Sequence, residues 1–270
     1  MYFIKSIIDI IIILLLVRLL IRPNEAYFNQ IFSLIYRLTN PLLIPSRYLT
    51  RNNTKGLFLT VLCLVLLRGL VFISIRPMSF TSGAGLSFLG LFQLLFQFYM
   101  VIWFVSFISR YSSETFLMNI LQRAFIPLNI LSDRIGIPAR HFYLFVFLFL
   151  WILYSLLSYF IHNVMNLMTI VSSFSLFYGL GEGLILFLGL FPGFFSLVII
   201  IGVLLSWVSP DPYNPIVQAI YSISEPLLAP FRRFTPNLGG LDISPIFALL
   251  CFQFLGKLGQ QMVAGIFMAT

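Results

Sequence analysis

Residues 206–245 read SWVSPDPYNPIVQAIYSISEPLLAPFRRFTPNLGGLDISP. The stretch lies between two apolar runs, 184–208 and 243–263, each near the roughly 20 residues needed to cross a bilayer. Within it, Asn214 is placed to cap a helix, and Pro215 suits its first position. Ile216, Ile220 and Ile223 then fall on one helical stripe. Pro226 is expected to end that helix, because a proline disfavours helix at the residue before it. Gly239 and Gly240 permit a tight turn ahead of the next run. Ser244 is expected to cap that run and Pro245 to open it, with Asp242 at the positive end of its dipole. The pattern reads as span, amphipathic helix, turn, span.

Degenerate copies occur twice earlier. Pro41-Leu42-Leu43-Ile44-Pro45-Ser46-Arg47 matches Pro226-Leu227-Leu228-Ala229-Pro230-Phe231-Arg232. In the same register Asn29 matches Asn214, Ile35 matches Ile220 and Tyr36 matches Tyr221. A fainter copy has Ile126-Pro127-Leu128, with Arg134 in the place of Arg233. It lacks the second proline and the paired glycines. Tyr27, Ile31, Ile35 and Leu38 form the stripe of the first copy, and Phe116, Ile120 and Ala124 that of the second. Pro41 and Pro127 are expected to end these helices, as Pro226 ends the third. Such recurrence signals one supersecondary unit stacked on its copies. The expected organisation is a first repeat over 1–80, a degenerate middle repeat over 86–163, a linker over 164–182 and a C-terminal repeat over 183–270. The amphipathic helices are expected either on the membrane surface or packed beneath the bundle.

Composition sets the class. The chain is 60% hydrophobic and 9% charged, with a mean hydropathy of +1.03. Soluble domains carry about 25% charged residues, so a water-coated fold is excluded. Six runs are long enough to span: 2–21, 57–75, 86–108, 142–161, 184–208 and 243–263. Backbone groups in lipid need internal partners, so these are expected to be helices. The fold class is therefore an all-α membrane protein, with six transmembrane helices in three hairpin units. The run 164–178 is shorter and holds Asn166; it is expected to be interfacial or re-entrant. The first run has Arg18 and Arg22 where a cleavage site would need small residues, so it is expected to be retained as a span.

Net charge is +8. Lys and Arg sit mainly between spans: Arg22, Arg37, Arg47, Arg51 and Lys55 in the first loop, Arg110, Arg123, Arg134 and Arg140 in the third, Arg232 and Arg233 in the fifth. The charge thus reflects topology rather than nucleic-acid binding. These loops are expected to be cytoplasmic, with both termini outside. Cys63 and Cys251 lie within apolar runs and are expected to be small packing residues, not a disulfide or metal framework.

Ser206-Trp207, then Glu225-Pro226-Leu227-Leu228-Ala229-Pro230-Phe231-Arg232-Arg233, then Gly239-Gly240-Leu241-Asp242-Ile243-Ser244-Pro245, resemble the YGGT family of YlmG-like proteins in bacteria and plastids. The likeness is specific over 185–265, recognisable over 5–75 and weak over 88–160. Many members look like two such units, and a third is a departure. The resemblance implies an integral protein of the bacterial cytoplasmic membrane. It also implies roles of the kind linked to members: division and envelope organisation, osmotic tolerance, or assembly of membrane cytochrome complexes in plastids. It brings no catalytic set.

Two groups of residues carry the chemistry. Arg47, Glu225, Arg232, Arg233 and Asp242 belong to the cytoplasmic loops. There a basic side chain near an anionic leaflet gains about 1 kcal/mol, or serves only to anchor topology. Asp9, Arg68 and Lys257 lie inside spans, where charge is costly and points into the bundle. Asp9 and Arg68 each lie seven positions, ~10 Å, from the same side, so they are expected to pair. Glu182 is the nearest match in depth for Lys257. Gln93 and Gln97, one turn apart in the third span, add polar groups to a possible ion or proton pathway. His141 and His162 lie at opposite ends of span four and are expected to be interfacial polar residues. There is no P-loop, dinucleotide fingerprint, metal spacing or nucleophile–base pair, so no cofactor is expected. The expected function is a non-enzymatic scaffold or assembly factor contacting anionic lipid headgroups or partner membrane, division or assembly proteins, with oligomers allowed. The alternative is a small ion or osmolyte channel or transporter.

Overall fold

A computed structural model describes residues 2–50, 52–75, 79–109, 120–165, 175–208, 211, 214–235 and 242–268. Among the described residues the regular structure is helical. The helices are α1 (Tyr2–Leu20), α2 (Glu25–Phe28), α3 (Gln30–Leu49), α4 (Asn53–Ile75), α5 (Phe80–Ile108), α6 (Ile126–Ile135), α7 (Phe142–Val164), α8 (Leu176–Gly189), α9 (Ser196–Val208), α10 (Pro215–Arg232) and α11 (Ser244–Phe267). Five stretches are long and apolar enough to cross a membrane: Asn53–Ile75, Phe80–Ile108, Ala139–Val164, Leu176–Val208 and Ser244–Phe267. The chain is a multi-pass membrane protein. α1, the first of the expected spans, is also apolar but carries Lys5, Asp9 and Arg18 within its 19 residues.

The chain forms two compact units, Met1–Phe98 with Leu156–Leu176, and Tyr99–Ser155 with Phe177–Thr270. In the first, Ile8, Ile12 and Leu15 of α1 meet Leu57, Val61 and Val65 of α4 and Leu43 of α3. These positions recur every three or four residues, so each helix offers one stripe. Lipid is as apolar as these side chains, so close packing rather than water exclusion holds the helices together. Between α4 and α5 the backbones themselves touch: a Cβ on Gly69 would lie 3.3 Å from the carbonyl oxygen of Gly83.

The second unit is built on aromatic rings. Phe104 packs on Phe191 and Phe195 at 4.9 and 4.8 Å, and Phe252 of α11 meets Phe191 at 5.4 Å. Trp103 Nε1–H donates to the Tyr143 carbonyl at 2.8 Å. α6 ends at Gly136, whose φ of 77° is the left-handed cap that glycine suits. The long stretch 176–208 is not one regular helix. Residues Phe191–Phe195 form a π turn, with Phe195 N–H reaching the Leu190 carbonyl at 2.9 Å. Pro192 causes it, because it lacks the N–H that would bond four residues back.

Several local expectations are corrected. Pro41 and Pro45 lie inside α3, and Pro226 and Pro230 inside α10, so neither helix ends at its first proline. A proline inside a helix costs about 3 kcal/mol, but spacing by four puts both lost bonds on one side. The opposite side of α3 buries Phe32, Ile35, Thr39 and Leu43, and that packing holds the helix through both. Pro127 sits in the first turn of α6, where a missing N–H is harmless, rather than at a helix end. Ser244 does not cap α11; Asp242 Oδ1 accepts its N–H at 2.9 Å. Cys63 is exposed rather than packed. His162 is buried and bonds to the Ser158 carbonyl at 2.9 Å, so it is not a surface group. The run 164–178 is described only in part; 166–174, Gly239–Leu241, Phe116, Arg51 and Arg110 lie outside the described residues.

Candidate functional site

The first unit buries a charge pair. Arg68 of α4 is 1% exposed, and its Nη1 donates to Asp9 Oδ1 of α1. Its Nε donates to Ser87 Oγ of α5 at 3.1 Å, and its Nη2 to the Ser87 carbonyl. Ser87 Oγ–H in turn donates to the Val65 carbonyl. A Cβ on Gly90 would lie 3.0 Å from Arg68 Nη2, so the glycine opens the space in which the guanidinium lies. Asp9 is 18% exposed on its side chain, and its second oxygen lies 3.7 Å from Lys5 Nζ, one turn earlier. Every donor direction that Arg68 uses is thus met within three helices, as a cation buried in lipid requires.

The second unit holds a different charge group at the end of α10. Arg232 donates from Nε to Asp242 Oδ2 at 2.8 Å, from Nη2 to Glu225 Oε1 at 3.2 Å, and from Nη1 to Glu225 Oε2. Glu225 and Arg232 lie two turns apart on one helix. Asp242 comes from the entry of α11 and ties the end of the amphipathic helix to the start of the next span. Hydrogen bonding to Glu225 raises the Arg232 pKa further, against burial. Burial pushes the Asp242 carboxyl up, but bonds from Ser244 and Arg232 outweigh it and hold the pKa below its usual value.

A related arrangement with different partners occurs in the first unit. Asn29 and Asn214 cap α3 and α10 alike, each accepting from the N–H two residues on at 2.9 Å. In that register Asn40 stands where Glu225 stands, and Arg47 where Arg232 stands. Arg47 Nη2 donates to Asn40 Oδ1 at 3.4 Å, and Arg18 Nη2 donates to the same oxygen at 2.9 Å. Arg18 Nη1 also donates to Thr39 Oγ1 at 2.6 Å, and its guanidinium lies 4.1 Å above the Tyr36 ring. Along α2 and the start of α3, a groove of about 450 Å³ is lined by Tyr27, Asn29, Gln30, Ser33, Leu34 and Arg37.

The sequence-derived residues thus fall into separate places. Asp9 meets Arg68; Glu225, Arg232 and Asp242 meet one another; Arg47 meets Asn40. Gln93 and Gln97 are half-buried on α5. Arg233 is exposed, with no salt bridge among the described residues. Lys257 is exposed on α11 and forms no ion pair with Glu182. The pairing expected from depth fails because α11 presents Gly256, not Lys257, to the 176–208 stretch: a Cβ there would lie 2.4 Å from Pro192 Cδ.

The sequence reading missed Ser87, Gly90, Arg18, Thr39 and Asn40. The small residues Gly83, Ser87 and Gly90 recur on one face of α5 and signalled the first two. Extending the expected register of the Pro41 and Pro226 stretches by one residue, to Asn40, exposes the last. It also missed Gln253 and Gln260, seven residues apart on α11. Gln253 Nε2 donates to the Pro192 carbonyl at 3.0 Å, and Gln260 Nε2 to the Ile185 carbonyl at 3.1 Å. No group of three or more His, Cys, Asp or Glu placed to hold a metal occurs among the described residues.

Comparison with known proteins agrees with this anatomy. A family model described as CCB3/YggT matches residues 181–263. An uncharacterised protein of Pseudomonas aeruginosa is 54% identical over 69 residues, covering 26% of this chain and 35% of that protein. The uncharacterised protein YggT of Escherichia coli K12 is 31% identical over 80 residues, 27% of this chain and 42% of that protein. YlmG homolog protein 2, chloroplastic, of Arabidopsis thaliana is 38% identical over 69 residues, 26% of each chain. In all three, the chain spans less than half of the relative's length. No solved structure matches. Residues 181–263, with the amphipathic helix, the Glu225–Arg232–Asp242 group and the span that follows, are thus the part of this chain that is similar to the YggT family.

Proposed function

We propose that the protein is a non-enzymatic scaffold or assembly factor of the bacterial cytoplasmic membrane. It has six spans, both termini outside, and α3 and α10 at the inner face. There Arg47, Arg232, Arg233, Glu225 and Asp242 meet anionic headgroups or partner membrane proteins. One contrast carries the reading: the Asp9–Arg68 pair inside the spans is consumed by internal bonds, while Arg47 and Arg233 at the ends of the amphipathic helices are exposed. Arg68 is closed in by Asp9 and Ser87, whereas Arg47 and Arg233 are exposed. α3 also exposes Leu34, Leu38, Ile44 and Tyr48, an apolar surface that suits a headgroup boundary or a protein partner.

A second reading, a small ion or osmolyte channel or transporter, draws on Asp9, which links exposed Lys5 to buried Arg68. A permeant ion would have to displace one of these partners. The test is photocrosslinking from positions 37 and 233 in native membranes, run beside solute flux into liposomes holding the purified protein. Discrete crosslinked partners without flux are expected. Flux abolished by Asp9→Asn, without crosslinks, would replace the scaffold with the channel or transporter.

A further inference from the structure

We propose that Arg18, Asn40 and Arg47 form a phosphate-binding site in the first unit, a site that the second unit fills with its own carboxylate. It rests on the reading of the amphipathic helices as headgroup contacts, and it adds a ligand class and the residues that hold it.

The inference comes from comparing two matched places. In α10, Arg232 is neutralised twice, by Glu225 and by Asp242. In α3, Arg47 has Asn40 in the matching position, and a second cation, Arg18, has joined it on the same Asn40 oxygen. Two guanidinium groups converge on one neutral acceptor. Thr39 adds no charge, and its hydroxyl proton is spent on the Ile35 carbonyl at 2.6 Å. Tyr36 offers its ring face. Neither Arg18 nor Arg47 has an ion pair among the described residues. Glu25, a nearby carboxylate in sequence, accepts from the Arg22 backbone N–H at 2.9 Å.

The geometry suits an oxyanion. A guanidinium presents five donors in a planar fork, and two such forks leave donors over after sharing one amide oxygen. Stacking on Tyr36 holds the Arg18 plane, so less is lost when a ligand binds. A phosphate bridging the two arginines would supply the charge that Glu225 and Asp242 supply in the second unit. Arg18 lies in the last turn of α1 and Arg47 in the last turn of α3, where a lipid phosphodiester is within reach. A free phosphate offers the same oxygens.

The test uses the full chain in nanodiscs, with bound lipid read by native mass spectrometry. Phosphatidylglycerol is compared with phosphatidylcholine, and inorganic phosphate is added in a separate arm. Wild type is expected to retain phosphatidylglycerol in preference. Arg47→Gln should weaken retention about fivefold, as the loss of one basic contact predicts. The informative variant is Asn40→Glu, which writes the second unit's carboxylate into the first. It should abolish the preference while keeping or raising the melting temperature, so lost binding cannot be laid to misfolding. Competition by millimolar inorganic phosphate would assign the site to the free ion, and its absence to lipid. Unchanged phosphatidylglycerol retention in Asn40→Glu would overturn the proposal, as would a wild type with no preference and no response to phosphate. Crosslinking to partner proteins is untouched by that result, so the scaffold reading stands or falls separately.

Discussion

Removing Asp9 should leave a cation stranded in the first unit. Arg68 is 1% exposed, and without Asp9 its remaining partners are the hydroxyl and carbonyl of Ser87. Breaking a buried pair from one side costs about 3–5 kcal/mol. Asp9 keeps 18% exposure and a second cation at 3.7 Å, so Asp9→Leu should fall at the low end, about 3 kcal/mol, or roughly 150-fold in the folding equilibrium. Arg68→Met strands Asp9 instead and should cost a similar or smaller amount, because Lys5 remains. The double variant removes both charges and should lose far less than the sum, with a coupling of about 2 kcal/mol. Trp103, Trp151 and Trp207 all lie in the second unit, so tryptophan emission is the wrong probe. Helicity by circular dichroism, with SDS titrated into mild detergent, follows the whole chain. Losses that add to within about 0.5 kcal/mol would refute the pairing as an energetic unit. So would a charge-reversed double variant, Asp9→Arg with Arg68→Asp, that recovers nothing of either single loss.

Other outcomes follow from the second unit. Gln253→Leu should destabilise by about 1–3 kcal/mol, the cost of a buried carbonyl losing its donor, as read by tryptophan emission during SDS titration; no change would show the Pro192 carbonyl satisfied elsewhere. Gly256→Val should push α11 from the π turn, where even a Cβ would come within 2.4 Å of Pro192, and cost about 1–3 kcal/mol in the same assay. Asp242 has a lowered carboxyl pKa, so its contribution is complete above the unfolded value near 4 and is lost as pH falls below it. Both partners of that bond are more than a third exposed, so the effect should stay under about 1 kcal/mol. Asp242→Asn should keep the bond to the Ser244 N–H but flatten the melting temperature between pH 5 and 3, measured in detergent; an unchanged slope would assign the acid sensitivity to another group.

The spanning helices were legible because length and apolarity suffice, and 57–75 and 142–161 differ from the observed α4 and α7 by only a few end residues. The Asp9–Arg68 pair was legible because two charges at equal depth on neighbouring spans have few other partners. What failed was local. The steric preference against helix before a proline is real, but at Pro41 the packing of the opposite face won, and at Pro226, itself buried, the helix also continues. Ser244 and Asp242 both offer an oxygen to the start of α11, and sequence alone does not say which reaches. In the fold it is Asp242 Oδ1 that takes the Ser244 N–H. The Lys257–Glu182 pairing rested on depth without azimuth, and Lys257 faces away. The Asn40–Arg47 correspondence lay one residue outside the motif that defined the repeat.

The π turn bears on how the chain is made. The Pro192 carbonyl, within that turn, accepts from a side chain, Gln253, that comes 61 residues later. At about 5–20 residues per second, the ribosome needs roughly 3–12 s to deliver it. During that interval Leu176–Val208, the fourth long stretch, is in or near the translocon without its side-chain donor, and lipid offers no substitute. Release into the bilayer is expected to follow the arrival of α11, and a stop codon placed between the two should yield a fragment held longer by the insertion machinery than the full chain is.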